Sequence, residues 1–512
     1  MSNPSTTSPP GADSDKLDSA VLKVAGVVVL GAIMSILDVT VVSVALPTFM
    51  KEFDTTYANV AWTMTAYTLA LATVIPVTGW AADRFGTKRL YMSALVLFVA
   101  GSVLCSTAWN IESLISFRVL QGLGGGMLMP LGMTIMTRAA GPERVGRVMA
   151  VLGIPMLLGP IAGPILGGWL IESASWHWIF LINLPIGIVA LAAAIKLLPK
   201  DNPEPSESFD FLGMLLLSPG LALFLFGVSS IPEEHTVAAT RVLVPAIIGL
   251  VLIVAFVFHA LRVKHPLIDL HLFKNRQLTF AVLTMVFFVI AFMGAGLLFP
   301  SYFLQVRGET TLSAGILLAP QGLGAMITMP IAGKLVDKIG PGKIVLTGIV
   351  VMVIGMAGFT QLTADTPYWL LLGALFVMGL GMGCTMMPNM TAALATLKDH
   401  AIAKGSTLMN IVNQTAGSIG TAIMSVVLTN QMQSRPLSGP AIAVQQDPSL
   451  ADKLKLPAGA VETGLNQAAE AFSHTFTVAA VVLAVTLIPA FFLPRKRIVP
   501  TDVDEPAPAL MH

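Results

Sequence analysis

Charge is what this sequence lacks most. Only 11% of its 512 residues are Asp, Glu, Lys or Arg, whereas 55% are hydrophobic, and the formal net charge is +1. Soluble globular proteins carry about 25% charged residues, so the composition excludes that class and indicates an integral membrane protein. The near-zero net charge also argues against nucleic acid as a partner, because nucleic-acid-binding proteins present clustered basic residues.

Cysteine is scarce as well. The two cysteines, Cys105 and Cys384, both lie in apolar runs, so no disulfide framework is predicted. The sequence lacks a spaced set of His, Cys and carboxylates for a metal, and it lacks a nucleotide-binding loop. We therefore predict no cofactor and no enzymatic activity. Residues 1–20 contain no basic segment before a short apolar core, so we expect no cleaved signal peptide.

Long apolar runs are abundant. We find fourteen runs of roughly 20 residues, the length with which a helix crosses the hydrocarbon core of a bilayer. They are continuously apolar and do not alternate, which favours helices over a β-barrel. They lie near residues 21–46, 59–81, 89–108, 112–137, 146–171, 177–198, 210–230, 242–262, 278–303, 312–333, 343–361, 368–393, 405–428 and 471–494.

The positions of Lys and Arg predict the orientation, because basic residues are retained on the cytoplasmic side. With both termini inside and fourteen crossings, one arginine, Arg118, lies within a span and few basic residues fall outside. Those outside are Lys51, Arg241, Arg307, Arg435, Lys453 and Lys455. We therefore expect a multi-pass protein of the cell membrane, in which both termini are cytoplasmic.

Two pairs of similar motifs indicate that the chain contains an internal duplication. The stretch 79-GWAADRFGTKR-89 recurs as 333-GKLVDKIGPGK-343, and 122-GLGGGMLMP-130 recurs as 379-GLGMGCTMMP-388. Both pairs occupy equivalent places in two sets of six spans. The predicted domains are an N-tail at 1–20, a six-helix half at 21–200, two inserted helices at 201–265, a second half at 266–497 with a mobile external loop at 429–470, and a tail at 498–512.

Asp38 is the acid predicted to lie deepest in any span. A charged side chain at the bilayer centre costs roughly 2.5–3.5 kcal/mol on insertion scales, so such a residue usually faces a cavity or a partner. On a helix it shares one small, weakly polar face with Gly31, Ser35, Val42 and Ala45. A carboxyl group in a gated cavity can load and unload a proton. A permanent ion pair or a helix-capping contact is the alternative.

Other intramembrane polar residues need partners too. Arg118, in the fourth predicted span, does not deprotonate and must find a carboxylate, carbonyl groups or water, unless it extends to the outer surface. Three amides of the thirteenth span, Asn410, Asn413 and Gln414, and Gln121 of the fourth are predicted to line the central cavity. Hydrogen bonds between helices are an equally good explanation for them.

The repeated stretch 79–89 predicts a gate. It places Gly79 at a helix end and the pair Asp83 and Arg84 beside a turn glycine, Gly86. An acid here can cap or pair with a neighbouring helix end, in a contact that breaks when two halves rock. A solvated loop that merely sets topology is the alternative.

The fifth span is dense in glycine and proline. Gly159, Gly163 and Gly167 recur every four residues, which permits close approach of another helix. The prolines Pro155, Pro160 and Pro164 remove backbone donors and predict a bend. We call Gly159, Pro160, Gly163, Pro164, Gly167 and Gly168 the seam residues.

Together these stretches resemble the major facilitator superfamily, and in particular its fourteen-span drug:proton antiporters of the EmrB and QacA type. The resemblance rests on 37-LDVTVVSVALP-47, 79-GWAADRFGTKR-89, 117-FRVLQGLGGG-126, 159-GPIAGPILGG-168 and 176-WHWIFLINLPIG-187. It implies an all-helical fold of 6 + 2 + 6 spans in two pseudo-symmetric halves.

The same resemblance implies roles for residues. Asp38 and Arg118 would couple transport to protons, and the seam residues would form the antiporter motif. The cytoplasmic gate would contain Gly79, Asp83, Arg84, Gly86, Arg89 and, from the degenerate second copy, Asp337. The implied activity is proton-driven export of small lipophilic compounds, monovalent cations among the candidates. Export of a lipid or an endogenous metabolite is the alternative.

Overall fold

The protein is described by a computed structural model that covers residues 18–141, 144–201, 208–234, 237–395, 397, 399–446, 450, 457 and 459–495. Every regular element in these ranges is helical. The α-helices are α1 Ser19–Glu52, α2 Tyr57–Phe85, α3 Thr87–Ser106, α4 Ile111–Ala140, α5 Val145–Ser173, α6 Trp178–Leu181, α7 Asn183–Leu197, α8 Phe211–Ser229, α9 Ile231–Glu234, α10 Thr240–Ala260, α11 Arg276–Gln305, α12 Thr311–Leu317, α13 Ala319–Ile339, α14 Pro341–Ala357, α15 Tyr368–Gly383, α16 Met386–Leu394, α17 Asp399–Gln433, α18 Ser438–Gln446, α19 Ala460–Val485 and α20 Leu487–Ala490, and a 3₁₀ turn spans Leu270–Lys274.

Twelve helical segments of the described chain are long and apolar enough to cross a membrane. Four of them cover two consecutive helices, as Trp178–Leu197 covers α6 and α7. Two further predicted spans coincide with α5, of 29 residues, and with the shorter apolar helix α14, of 17 residues. The chain is therefore an all-helical multi-pass protein, and the count of fourteen crossings stays a prediction.

Helix packing repeats between the two parts of the chain. Helix α4 packs between α2 and α3, and α15 packs between α13 and α14. Glycine permits both arrangements, because a Cβ on Gly124 would lie 2.5 Å from the Phe98 nitrogen and one on Gly381 would lie 2.4 Å from the Gly348 oxygen. The glycine-rich motif of each repeat thus lies at an equivalent contact among three helices.

The motif at 79–89 is mostly helical, which corrects the expected loop with Gly79 at a helix end. Helix α2 continues to Phe85, and Gly86 alone separates it from α3. Gly86 has φ +93°, and Gly340, which separates α13 from α14, has φ +87°. Only glycine adopts this region without strain, so a one-residue reversal at both sites explains why the repeat retains these glycines.

The two parts of the chain meet at one end of the bundle, which we call the gate end and define by Gly86 and Gly340. There α2 packs on α17 and α5 packs on α13. The Thr134 hydroxyl of α4 lies 2.8 Å from the Ser406 hydroxyl of α17. The gate end is therefore closed in this conformation.

The inserted helices form a hairpin against this contact. Helices α8 and α10 pack together, and α8 also packs on α2 and α17. Trp62 of α2 stacks on Phe226 of α8 with ring centroids 5.5 Å apart. At the gate end, Asp210 accepts hydrogen bonds from Gly213 N at 2.8 Å and Leu267 N at 3.1 Å, and it pairs with His259 at 2.7 Å. The hairpin thus contacts both parts of the chain.

Residues 429–470 are predicted to form a mobile external loop, and parts of this range are helical in the structure. In the described residues, α17 extends to Gln433, α18 follows, and α19 begins at Ala460. Helix α18 packs on α19, where a Cβ on Gly464 would lie 2.4 Å from the Ala441 Cβ. The segment is too polar to register as a span, and its helices are stabilised by packing on each other.

Candidate functional site

Asp38 lies in the interior of α1 and is only 2% exposed. The residues of its predicted face, Gly31, Ser35, Val42 and Ala45, are all buried as well. The small side chains on this face let neighbouring helices approach, and the carboxylate therefore points into protein.

The carboxylate of Asp38 is bound by three side chains from two other helices. Arg118 Nη1 donates to Oδ2 at 2.5 Å, and Gln121 Nε2 donates to Oδ1 at 2.7 Å, both from α4. Asn183 Nδ2 of α7 approaches Oδ1 at 3.5 Å. Charge-assisted hydrogen bonds of this kind compensate the burial of a charge, which a lone carboxylate could not sustain.

Arg118 is fully buried, which excludes the reading in which it extends to the surface. Its Nη1 also donates to Gln121 Oε1 at 2.7 Å, and its Nε donates to the Thr63 carbonyl at 3.1 Å. The guanidinium lies 4.1 Å from the ring centroid of Tyr67. Its Nη2 is buried without a hydrogen-bond partner among the described residues.

Ser102 and Asn183 belong to this network and were missed by the sequence reasoning. Ser102 Oγ accepts from Gln121 Nε2 at 3.1 Å and from Asn183 Nδ2 at 3.0 Å, and it donates to the Phe180 carbonyl at 2.9 Å. Both residues are buried. An Asn within the apolar stretch 176–187 was the available signal, since an amide in such a place needs a partner.

A small cavity borders Asp38 on the side of α5 and α7. It has room for about one water molecule. Its lining includes Asp38, Val41, Leu166, Leu170, Asn183 and Ile186. The carboxylate and the Asn183 amide are the polar groups among its lining residues.

The second part of the chain has no equivalent network in its described residues. The repeat register aligns Arg118 with Leu375 and Gln121 with Met378, and both of these residues of α15 are buried and apolar. The duplicated architecture is therefore chemically asymmetric, and the charged site belongs to the first six spans alone.

Residues of the first gate motif contact their own half and α17. Asp83 Oδ1 accepts from Arg138 Nη2 of α4 at 3.3 Å, whereas Arg84 and Arg89 are exposed. A Cβ on Gly79 would lie 3.1 Å from Thr407 Oγ1 of α17. Gly79 thus lies at the contact between the two parts of the chain.

Asp201 is a second residue that the sequence reasoning missed. Its carboxylate accepts from the backbone nitrogens of Lys88 at 2.8 Å and Arg89 at 3.0 Å, so it caps the start of α3. A Cβ on Gly86 would lie 2.2 Å from Asp201 Cγ. The turn glycine is therefore required both by its φ and by this close contact.

Asp337 makes the clearest contact between the two parts of the chain. Its Oδ1 accepts from Gly146 N at 3.0 Å and its Oδ2 accepts from Arg147 Nε at 2.9 Å, so α13 caps the start of α5. Gly146 and Gly333 allow this approach, since a Cβ on Gly146 would lie 2.8 Å from the Gly333 oxygen. The second-half copy of the motif thus binds a helix of the first half.

The seam glycines pack on α1 beside Asp38. A Cβ on Gly159 would lie 2.1 Å from Ile36 Cγ2, one on Gly163 would lie 1.9 Å from Thr40 Oγ1, and one on Gly167 would lie 3.1 Å from Val41 Cγ1. The Thr40 hydroxyl donates to the Gly159 carbonyl at 3.2 Å. A Cβ on Gly168 meets nothing within 4 Å. The side chains of Pro160 and Pro164 lie outside the described part of the structure.

The amides of α17 are half-buried. Asn410 Nδ2 donates to the Ser406 carbonyl at 2.8 Å and lies 3.4 Å from the Met133 sulfur of α4. Asn413 and Gln414 lie one turn further along the same helix. Asn410 therefore lies between the two parts of the chain, as a cavity-lining residue requires.

Comparisons with known proteins agree with this architecture. The sequence profile of the Major Facilitator Superfamily matches residues 28–421. The chain is 51% identical over 495 residues to the multidrug resistance protein B homolog of Mycobacterium tuberculosis, covering 94% of this chain and 92% of that protein. It is 31% identical over 405 residues to the multidrug export protein EmrB of Haemophilus influenzae, covering 78% and 79% of the two chains.

A solved structure shares the fold. The human organic anion transporter MFSD10 superposes with a TM-score of 0.61 at 15% sequence identity, covering 91% of this chain and 100% of that one. At this identity the likeness concerns the fold alone.

Proposed function

Because the chain belongs to the major facilitator superfamily, we propose that it is a proton-coupled antiporter that exports lipophilic, drug-like compounds across the cell membrane. It is a membrane transporter of this family and not an enzyme. The single observation that carries the proposal is the buried Asp38–Arg118 pair, a titratable group held inside the membrane span. The names of the multidrug relatives support the cargo class.

The proposal includes fourteen crossings in a 6 + 2 + 6 order with both termini cytoplasmic. Helices α5 and α14, added to the twelve long apolar segments, support that count. In this orientation the gate end is cytoplasmic. Lys88, Arg89, Arg138 and Arg147 lie there, which agrees with the retention of basic residues inside.

In the mechanism, protonation of the Asp38 carboxylate breaks its ion pair with Arg118, and deprotonation restores the pair. When a proton neutralises Asp38, the guanidinium loses its counter-charge inside the protein and must find other partners. Gln121 Oε1 and the Thr63 carbonyl already accept from it. Such a rearrangement changes the packing of α1 on α4, and α1 in turn contacts the seam glycines of α5. Opening of the gate end would then break the Asp337 contacts with α5.

The available energy limits the stoichiometry. One proton that moves through ~100 mV releases about 2.3 kcal/mol, and each pH unit adds about 1.4 kcal/mol. With one deeply buried acid we propose one proton per cycle. If the cargo is a monovalent cation exchanged one for one, the electrical contribution cancels and only the pH gradient drives export. Export of a neutral cargo would use both the electrical contribution and the pH gradient. A measured ratio of two protons per cargo would contradict this.

The decisive experiment compares wild type with Asp38→Asn in everted vesicles. Ethidium added to energised wild-type vesicles should trigger proton release that follows its uptake. Asp38→Asn should abolish the proton signal and uphill uptake, because an amide does not titrate. Thermal unfolding in detergent checks that the variant is folded. Unchanged proton-coupled uptake by a folded Asp38→Asn would disprove the proposal, and lipid turnover without a proton signal would favour lipid export.

A further inference from the structure

Protons need a path to Asp38, and among the described residues the outer end of α1 does not offer one. Phe49 packs edge to face on Trp176 with centroids 5.5 Å apart and stacks on Phe180 at 6.3 Å. Val42, Ala45 and other buried apolar residues complete this plug. Water therefore has no continuous polar route along α1 to the carboxylate from that direction.

The cavity beside Asp38 adjoins this plug, and Val41, Leu170 and Ile179 belong to both. All of its lining residues belong to α1, α5, α6, α7 and the single residue between α6 and α7, so it lies entirely within the first half. A cargo carried by two rocking halves must pass between them, where Asn410 lies. Leu166 and Leu170 come from the end of α5, and Asn183 is the first residue of α7. In the proposed orientation both of these helix ends are external.

We propose that external protons reach Asp38 through this cavity, apart from the cargo path, and that Asn183 is the positioning residue at its inner end. This inference rests on the proton coupling proposed above. The Asn183 amide connects a water in the cavity to the carboxylate, since its Nδ2 already lies 3.5 Å from Asp38 Oδ1 and 3.0 Å from Ser102 Oγ. The amide and the carboxylate are the polar partners that a water needs there.

Helix α5 connects this entrance to the gate end. Its start is bound by Asp337, its glycines contact Ile36 and Thr40, and Leu166 and Leu170 near its other end cover the cavity. A rigid helix held at these three places transmits displacement from one end to the other. When the gate end opens and α5 shifts, the leucines move relative to α1, and proton access changes with the state of the gate.

Few titratable groups face Asp38. Arg118 approaches from α4, Tyr67 of α2 lies against the Arg118 guanidinium, and Cys105 of α3 lies 3.6 Å from Gln121 Oε1. Helices α5, α6 and α7 supply no titratable group to the cavity lining. Asn183 itself does not titrate. A change in pH dependence that follows substitution of Asn183 therefore reports on Asp38 and its access to water.

The first test fills the cavity. The full-length protein is reconstituted in proteoliposomes with a pH-sensitive dye, and an ethidium gradient drives proton movement. Ile186→Phe, on the cavity wall, should lose most of the proton movement while ethidium binding in detergent is unchanged. The matched control is Ile188→Phe, two residues along α7 with a side chain on the lipid-facing surface at 59% exposure, which should behave as wild type. Wild-type proton movement in Ile186→Phe would overturn the inference.

The second test removes the amide. Asn183→Leu deprives the Asp38 carboxylate of an N–H donor that favours its charged form. The dependence of exchange on external pH should therefore differ from that of wild type, and Asn183→Ser, which keeps a small hydrogen-bonding group, should restore most of the wild-type profile. An unchanged profile in Asn183→Leu would contradict the positioning role.

Asp38→Asn in the same liposomes separates this inference from the proposed function. If Asp38→Asn moves protons like wild type, the proposed coupling fails. If Asp38→Asn abolishes proton movement while Ile186→Phe and Asn183→Leu match wild type, the coupling stands and the cavity is not the entrance.

Discussion

At the scale of residues, the molecule concentrates intramembrane charge in one place. Asp38 and Arg118 are both fully buried. Gln121 binds both of them, the Thr63 carbonyl accepts from Arg118 Nε, and Arg118 Nη2 has no partner among the described residues. Removing one partner of such a buried pair typically costs about 3–5 kcal/mol, because the other charge is left unpaired. We therefore expect loss of either side chain to weaken the packing of α1 on α4, and the proposed coupling uses this same pair as its proton-sensitive contact.

Arg118→Lys tests whether the shape of the cation matters. A lysine keeps the charge but cannot donate at once to Asp38, Gln121 and the Thr63 carbonyl as the planar guanidinium does. We expect proton-coupled ethidium transport to fall about tenfold or more, as loss of hydrogen bonds to charged groups implies. Arg241→Lys, in an exposed pair with Glu234, is the control and should transport normally. Equal activity of Arg118→Lys and wild type would argue that charge alone suffices.

At the scale of helices, α5 contacts Asp337 at the gate end, carries the seam residues and lines the cavity beside Asp38. Gly159, Gly163 and Gly167 occur where α1 comes close, and Gly168, one residue beyond Gly167, faces open space. Comparing a glycine that contacts α1 with Gly168 therefore separates two effects. One is the packing that glycine permits, and the other is its intrinsic cost in a helix, about 0.5–1 kcal/mol relative to alanine.

Gly163→Ala and Gly168→Ala form a matched pair. The new methyl group at 163 would collide with the Thr40 side chain, so we expect a loss of about 1–3 kcal/mol of stability and a lower melting temperature in detergent. The same change at 168 meets no neighbour and should leave the melting temperature unchanged or higher. If both variants melt at the wild-type temperature, α5 is free to move away from α1 and the seam does not limit packing.

At the scale of the whole molecule, polar contacts and helix packing hold the two halves together at the gate end. Asp337 binds the start of α5, and Thr134 meets Ser406. The hairpin of α8 and α10 packs along α2 and α17 on one side of this contact. For the halves to rock, a few polar contacts between them would have to break. The apolar surface of the α8–α10 hairpin would also have to slide along α2 or α17.

A reversible crosslink tests the rocking. Thr134→Cys with Ser406→Cys places two sulfurs where hydroxyl oxygens are 2.8 Å apart, close enough for a disulfide after small adjustments. Oxidation should stop transport and reduction should restore it, because the gate end is locked. Each single-cysteine variant is the control and should be insensitive to oxidant. Undiminished transport by the oxidised double variant would mean that the gate end does not open in the cycle.

Adding Asp337→Ala to the double variant sharpens this test. Loss of the cap on α5 should populate the open gate end, so the disulfide should form more slowly than with Asp337 present. An unchanged rate of crosslinking would indicate that the Asp337 contacts do not hold the closed state.

Apolar length, repeated glycines and a charge in an apolar run are local properties, so sequence alone was enough to identify the helical membrane class and to predict two related halves and a role for Asp38. Only the tertiary structure revealed that Asp38 binds Arg118, that Asn183 and Ser102 complete the network, that Asp201 caps α3, and that Ser438–Gln446 is a helix after α17. Those facts depend on which helices pack together, and residues far apart in sequence become neighbours only through that packing.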